Sequence, residues 1–550
     1  MRAGDPRTTA IRTSRWCWVI SLPLFALFVA YFGLHCFRYP WSGDIDRHVA
    51  SVASFYRSLS SPPHEAIALP EGDSEVHTPY ILAVAIAGRS LGITPFRALQ
   101  LAGVANLVLY VLAIVLFFRT FSSTAAWPLG PLAFLVVSLF VRDELFHWSS
   151  ETSFVAVRLT QAYPSFFAWG LALVLFSVGE RYLRSNQSIL LIVVLLAAPF
   201  LLISHPLTGS WAILMLVVLG AVSLATLGAH ANGTEVPRWS LVPRVLTLFA
   251  VVAVSIGLAT RWPYFELLRP GGLLGTVEES TFADHPFYDF RSVYVPALIS
   301  SFLFLRHRMN LFLLAGFVST CAALAAFRTA GWDYGNRYAF FMAFFAQVAV
   351  AESVALVGAY LLRGRASGRA ILSSWPSRAL LVASVGAATI LALSSNGIRR
   401  AAREGEPLLG FGELLQRQPT HAAYYARMGF LLNYLDESDV VLMPVEHAAW
   451  DLSSLTGARV IAAPFSFRVP DFEQRVRDVN RFFAPTATPE ERNAIVARYG
   501  VTAVLLVPSM QGLHPLLEES LGRAISFPEG YVLFYTREGS RRHARRATGT

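Results

Sequence analysis

The stretch WCWVISLPLFALFVAYFGLH (residues 16–35), followed eight residues later by Gly43-Asp44-Ile45-Asp46-Arg47-His48, decides how this chain is read. The first part is a charge-free run of the roughly 20 residues needed to cross about 30 Å of hydrocarbon. The second places two carboxylates just past the end of that run. The apolar run is longer than the core of a secretory signal, and no small-residue cleavage site clearly follows it, so it is expected to stay as a membrane anchor.

Working outward, the same texture recurs. Residues 98–118, 126–141, 164–179, 188–204, 207–228, 241–260, 292–305, 309–327, 338–362 and 378–395 are each nearly free of charge. With 16–35 they make eleven expected spans, of which 126–141 and 292–305 are the short ones. The 550 residues have a mean hydropathy of +0.49 and are only 15% charged, against about 25% in ordinary soluble domains. The expectation is a polytopic α-helical membrane protein.

The formal charge of +9 is carried entirely by arginine, and its distribution argues against a nucleic-acid partner. With the N-terminus on the cytoplasmic side, alternation through eleven spans puts Arg2, Arg7, Arg12, Arg15, Arg119, Arg181, Arg184, Arg238, Arg244, Arg306, Arg308, Arg363, Arg365, Arg369 and Arg378 inside. Only Asp5, Glu180 and Glu235 oppose them there. That is the positive-inside pattern. It leaves outside the Asp44 loop, the loops 142–163, 261–291 and 328–337, and everything after about residue 397. The cysteines Cys17, Cys36 and Cys321 form no obvious pair, so neither a disulfide framework nor a cysteine metal site is expected.

The expected organisation is a cytoplasmic tail (1–15), a transmembrane domain (16–396) with outer loops 36–97 and 261–291, an outer domain (397–538) and a disordered basic tail (539–550). In the first outer loop, Asp46 is placed to cap a helix whose Val49, Val52, Phe55, Tyr56 and Leu59 form an apolar stripe. That is the pattern of a helix lying along the membrane surface. A second apolar segment, Tyr80–Leu91, follows His77-Thr78-Pro79. Past residue 397 the text changes to strands at Val440–Pro444, Arg459–Ala463, Ala503–Val507 and Tyr531–Tyr535. Helices are expected at Ala448–Leu455, Phe472–Phe483 and Pro489–Tyr499. Alternation of this kind implies a small α/β domain.

Carboxylates at a membrane boundary suit general base chemistry: a positioned Asp can take the proton of an attacking hydroxyl, an effect worth about 10²–10⁴-fold. Asp44 and His48 are four apart and would share one helix face. Arg337 follows Asp333-Tyr334-Gly335-Asn336 at the mouth of a span, where a guanidinium can hold a phosphate with two parallel hydrogen bonds or simply snorkel to the headgroups. Arg158 and Arg291 are arginines of the same kind. His205-Pro206 closes a span, where a histidine serves either a polar site or a cap. Two loop clusters, Glu144, His147 and Glu151, then Glu278, Glu279, Asp284, His285 and Asp289, carry groups that can bind a divalent metal such as Mg or Mn, but their spacing fits no recognised motif and no metal ligands are assigned. A phosphate-cradling nucleotide loop is excluded, since it needs a lysine and the chain has none.

An outer-loop Asp after the first span, a surface helix, a His-x-Pro segment at His77-Thr78-Pro79, many further spans and an outer α/β domain together resemble the GT-C superfamily of membrane glycosyltransferases. Within it, the protein mannosyltransferases and aminoarabinose transferases carry His-Pro-Pro at the corresponding place, and many pair the Asp with a Glu where this chain has Ile45. The resemblance implies a polyprenyl-phosphate sugar donor drawn from the membrane lipid, an extracytoplasmic glycan, lipid or protein acceptor, and inversion at the anomeric carbon. It implies Asp44 or Asp46 as the base and His48, His77, Arg158, His205 and Arg337 around the substrates. Two readings of other classes stand beside it: a secondary transporter or flippase of envelope precursors, which calls for paired half-domains and midplane charges, and a non-catalytic envelope-assembly scaffold.

Overall fold

The computed structural model describes residues 6–38, 45–59, 67, 77–122, 129–140, 153–226, 238–264, 294–298, 308–331, 337–363, 386, 411–417, 419–464, 469, 471–522 and 524–548. In chain order the helices begin with α1 (Pro6–Arg38), α2 (Ile45–Arg57), α3 (Pro79–Ser90), α4 (Pro95–Phe121), α5 (Gly130–Phe140), α6 (Phe154–Thr160) and α7 (Pro164–Ser185). They continue with α8 (Ser188–Ser204), α9 (Pro206–Ala225), α10 (Arg238–Ala259), α11 (Arg308–Thr329), α12 (Tyr338–Arg363) and α13 (Phe411–Gln416). The last third holds α14 (Thr420–Met428), β1 (Val440–Leu442), α15 (Ala448–Thr456), β2 (Arg459–Val460), α16 (Phe472–Phe482), α17 (Pro489–Tyr499) and β3 (Ala503–Leu506). It closes with α18 (His514–Leu521), β4 (Ala524–Ser526), β5 (Val532–Tyr535) and α19 (Arg537–Thr548).

The chain is a polytopic membrane protein. Among the described residues seven helices are long and apolar enough to cross a bilayer, and two shorter apolar helices, Gly130–Leu139 and Ser188–Ser204, accompany them. Of the expected spans 292–305 and 378–395, only residues 294–298 and 386 are described. Two compact units form: one of Met1–Tyr39, Ala102–Trp262 and Leu267–Arg417, the other of Pro40–Leu101, Pro263–Glu266 and Gln418–Thr550.

The first unit is the helical one. Lipid tails are as apolar as leucine, so membrane helices associate through close packing and not through water exclusion. Here the packing is aromatic. Trp211 of α9 stacks on Phe341 of α12 at 4.5 Å and meets Trp169 of α7 at 5.2 Å, while Trp169 meets Phe341 at 5.3 Å. Each ring stands only a few residues from its helix's start, so α7, α9 and α12 begin at the same end of the unit. Helices α8 and α9 are separated by His205 alone and diverge from it at very short range. Gly209 permits this, because a Cβ there would lie 2.3 Å from the Leu202 Cα.

The second unit contains a five-stranded sheet of order β2-β1-β3-β5-β4. Strand β1 runs parallel to β2 and β3, with Val441 paired to Val460 and Ala503, and β5 runs antiparallel to β3 and β4. Strand alternation divides the side chains cleanly. Val441, Ala503, Leu505 and Leu533 face one core with Trp450, whereas Leu442, Val504, Leu506 and Phe534 face another with Val479, Phe482 and Leu517. Both faces are covered, which is why β1 and β3 read as unbroken apolar runs. Thr488-Pro489-Glu490-Glu491 starts α17 with a reciprocal capping box.

The first loop belongs to this unit. Helix α2 packs on α3 and on α15, burying Ile45, Val49, Val52 and Phe55. Ala50 joins the Trp450 core, and Ile67 pairs beside Val460 at the edge of the sheet. Arg57 ends α2 by donating to the carbonyls of Ser453 and Ser454, where the negative end of α15 favours a cation. Three expectations are corrected here. The apolar stripe of α2 is not open to a membrane surface over most of its length: Val49, Val52 and Phe55 are buried and the helix packs on α3 and α15, while Leu59 stays exposed. Asp46 lies within the first turn and not before it. The basic tail is helical from Arg537 to Thr548, held by an ion pair of Arg542 with Glu538 and by stacking of His543 on Tyr535 at 4.8 Å.

Gly209→Ala is expected to lower the thermal unfolding midpoint of detergent-solubilised protein clearly, because overpacking of this kind costs about 1–3 kcal/mol. A midpoint equal to that of the unmodified protein would show that α8 and α9 have room between them.

Candidate active site

Two sets of predicted residues are brought together, one in each unit. In the second unit, Asp46 stands in the first turn of α2, where the helix's positive end favours a carboxylate. Its Oδ2 lies 3.8 Å from Nδ1 of His447, in the turn between β1 and α15. The next residue, Arg47, is buried, with its guanidinium 5.6 Å from the ring centre of Trp450. His48 is buried in the following position. Asp44 lies outside the described residues.

His77 precedes the helix start made by Thr78, whose hydroxyl accepts the Ile81 N–H, and by Pro79. Its ring is buried edge-on between Phe55 of α2 at 5.0 Å and Tyr264 at 5.8 Å. Burial in this aromatic box, with the positive charge of Arg47 nearby, pushes the imidazole down to about 3. His77 is therefore neutral at any physiological pH and can donate or accept one hydrogen bond without bringing charge.

Behind Asp46 stands a charged group that sequence reasoning missed. Asp451 of α15 is fully buried and takes a 2.8 Å hydrogen bond from Arg427 of α14. Burial pushes its carboxyl up to about 6, with Arg427 pulling the other way. Arg427 keeps half of its side chain in solvent; burial opposes its charge, but Asp451 and Asp46 together hold it more firmly protonated than usual. Tyr424, one turn earlier, hydrogen-bonds Ser454 and is raised far above the ordinary phenol by burial, with Asp451 and Asp46 adding to it. Arg47 was within reach of sequence reading, since it sits inside the acidic stretch. Asp451, flanked by Trp450 and Leu452, carried only the weak signal of a charge among apolar residues, and Arg427 and His447 carried none.

In the first unit, Arg158 is buried on α6, which packs on α1 by Phe154 against Tyr31 and Phe32 at 5.9 and 5.2 Å. His205 begins α9; its Nδ1 accepts the Thr208 N–H at 3.3 Å and stands 2.8 Å from the Thr208 hydroxyl, so the cap reading holds. One turn on, Ser210 and Tyr338 hydroxyls meet at 2.8 Å. Tyr338 directly follows Arg337, so this bond ties the start of α9 to the start of α12 and brings His205 and Arg337 to one end of the unit. Arg291 and both loop clusters proposed for metal, from Glu144 to Glu151 and from Glu278 to Asp289, lie outside the described residues. Among the described residues no three His, Cys, Asp or Glu converge on a point that would hold a metal ion.

With this geometry in hand, the chain can be set beside known proteins. ArnT from Cupriavidus metallidurans, in its structure bound to undecaprenyl phosphate, superposes with a TM-score of 0.52 over 94% of this chain and 97% of that one, at 15% identity. The fold is that of ArnT. The same ArnT in the apo state gives 0.49 at 13% identity, over 94% and 97% of the two chains. An oligosaccharyltransferase of Archaeoglobus fulgidus tethered to an acceptor peptide gives 0.47 at 14% identity, over 94% of this chain and 73% of that one. No protein-family model matches the sequence, and no curated protein matches it either.

The depressed His77 makes a pH prediction. Unfolded, the ring takes up a proton below about 6.5; folded, it does so only near 3. The folded state therefore keeps the full benefit of His77 above pH 6.5 and loses it progressively as the pH falls from 6.5 towards 3, by on the order of 4 kcal/mol in all. Thermal unfolding from pH 8 to pH 4 should show an acid-side decline that flattens in His77→Phe. Equal decline in both proteins would place the ring in a wetter site.

Proposed function

We propose that this chain is a membrane glycosyltransferase that moves a sugar from a polyprenyl-phosphate donor to an acceptor hydroxyl on the outer side of a cell membrane. The observation that carries the reading is Asp46 of the first loop's acidic stretch, set on a helix held inside a folded body, in a chain whose fold matches ArnT over 94% of its length. The ArnT structure holds undecaprenyl phosphate, which supports a lipid-phosphate donor here. The arginine-rich segments support an N-terminus in the cytoplasm and an extracytoplasmic α/β domain.

In this reading the acceptor hydroxyl of a glycan, lipid or protein attacks the anomeric carbon from the face opposite the phosphate. The new carbon–oxygen bond forms as the bond to the phosphate oxygen breaks. The hydroxyl proton passes to a carboxylate, the polyprenyl phosphate leaves with the bonding pair, and the anomeric centre inverts. Asp46 is engaged by His447 and lies in the field of Arg427, which suits it to orient α2. Asp44, two residues earlier, takes the proton. Arg337 holds the departing phosphate from the positive end of α12, with Arg158 and His205 as further donors. His48 and His77 line the acceptor side, His77 as a neutral partner for hydroxyls. No step is assigned to a metal.

The deciding experiment is transfer of labelled sugar by protein reconstituted in lipid, from a panel of polyprenyl-phosphate sugars, with EDTA and with added Mg²⁺ or Mn²⁺. Asp44→Asn should cut turnover by about 10²–10⁴-fold, Asp46→Asn by much less, and Arg337→Gln should raise the donor KM. Full turnover in Asp44→Asn moves the base elsewhere. Absence of transfer from every donor overturns the reading and favours transport or scaffolding.

A further inference from the structure

The α/β domain carries a second patch with the chemistry of sugar recognition, and it adjoins the start of α2. Tyr531, just before β5, lies half-buried with its ring 5.5 Å from Phe430, and Phe430 lies 4.5 Å from Phe527. Three aromatic rings thus form one half-exposed cluster between α14 and the β4–β5 turn. The hydroxyl end of Tyr531 is set among charges. Burial raises its pKa, Arg427 opposes the rise, and Glu446, Asp451 and Glu529 add to it, so charges from three segments act on one phenol. Glu446 and Glu529 are exposed. Arg427 is fixed on one side by Asp451 and open to solvent on the other. Asp451 keeps its second oxygen, Oδ1, fully buried and without a hydrogen bond among the described residues. The same Arg427 feels Asp46, and Glu446 is the neighbour of His447, the Asp46 partner.

Flat ring faces take the C–H face of a pyranose, while a guanidinium backed by carboxylates offers donors and acceptors side by side for vicinal hydroxyls. The three carboxylates around Tyr531 disfavour an anionic guest. We infer that Tyr531, Arg427 and Glu446, over the Phe430–Phe527 pair, form an acceptor subsite for a neutral saccharide, from which a sugar hydroxyl is presented towards the start of α2. The inference rests on the proposed glycosyl transfer, and it narrows the acceptor class to neutral glycan.

The test measures sugar binding without any donor. The full-length protein in lipid nanodiscs is titrated by saturation-transfer NMR with neutral hexose and pentose trisaccharides and with a uronic-acid trisaccharide. At least one neutral trisaccharide binds saturably, more tightly than the uronate, and Tyr531→Ala weakens it by about tenfold. Arg427→Gln would strip Asp451 of its partner, so Glu446→Gln, an exposed change, serves as the second variant and weakens binding too. Arg477→Gln, which removes an exposed pair with Glu473 on α16, leaves affinity unchanged. Failure of every neutral trisaccharide to bind, preference for the uronate, or unaltered affinity in both variants overturns the subsite. Saccharide binding in a protein that transfers no sugar keeps the subsite and removes the catalytic reading; transfer without binding at Tyr531 does the reverse.

Discussion

The docking of α2 on α15 is the contact on which the second unit depends. It joins residues 40–101 to residues 418–550, which are separated in sequence by most of the spans. The contact works because each partner supplies what the other lacks. Helix α15 presents the buried indole of Trp450 and the carbonyls of its last turn; α2 answers with the buried guanidinium of Arg47 and with Arg57 on the Ser453 and Ser454 carbonyls. A buried arginine is costly unless its charge is compensated. Placing one over an indole and another on a helix's negative end turns that cost into a specific register between the two helices. Asp46 is oriented as a by-product of that register.

The helical unit obeys a different constraint. Its helices have little to gain from leaving water, so shape decides. The rings of Trp169, Trp211 and Phe341 interlock near the start of three helices, and the polar link between Ser210 and Tyr338 fixes the same end. That end is also where His205 and Arg337 precede their helices. Rigid aromatic packing directly beneath a set of polar side chains is what a site needs if small displacements are to matter.

Much of this was legible in the sequence, and the parts that were not share a cause. Apolar runs gave the long helices, because a bilayer imposes length on its spans. The strands Val440–Leu442 and Ala503–Leu506 were readable because both of their faces are buried. The apolar stripe of α2 was read correctly as buried and wrongly as to what buries it. Periodicity reports that a face is covered but is silent on the partner, and the partner lay some 400 residues away in sequence. The same distance hid Arg427, His447 and Asp451, whose meaning comes only from a neighbour on another segment. Strand β4 was missed because Ala524-Ile525-Ser526 is short and half-exposed. The helical tail was missed because a run of arginines reads as repulsive, while Glu538 and the Tyr535 ring that relieve it lie just upstream.

The pairing of Ile67 with Val460 bears on biosynthesis. The first loop emerges from the ribosome hundreds of residues before the strand it accompanies, and the part of α2 that packs on α15 must wait while the chain between them is made. Until β2 arrives, Ile67 has no strand to pair beside; until Ile67 reaches it, that side of Val460 in β2 is an open edge. This unit therefore cannot be completed before its strands at Val440–Tyr535 have been made. The acidic stretch is organised only when the whole polypeptide has been made, so a truncated product would carry the sequence of the site without its geometry.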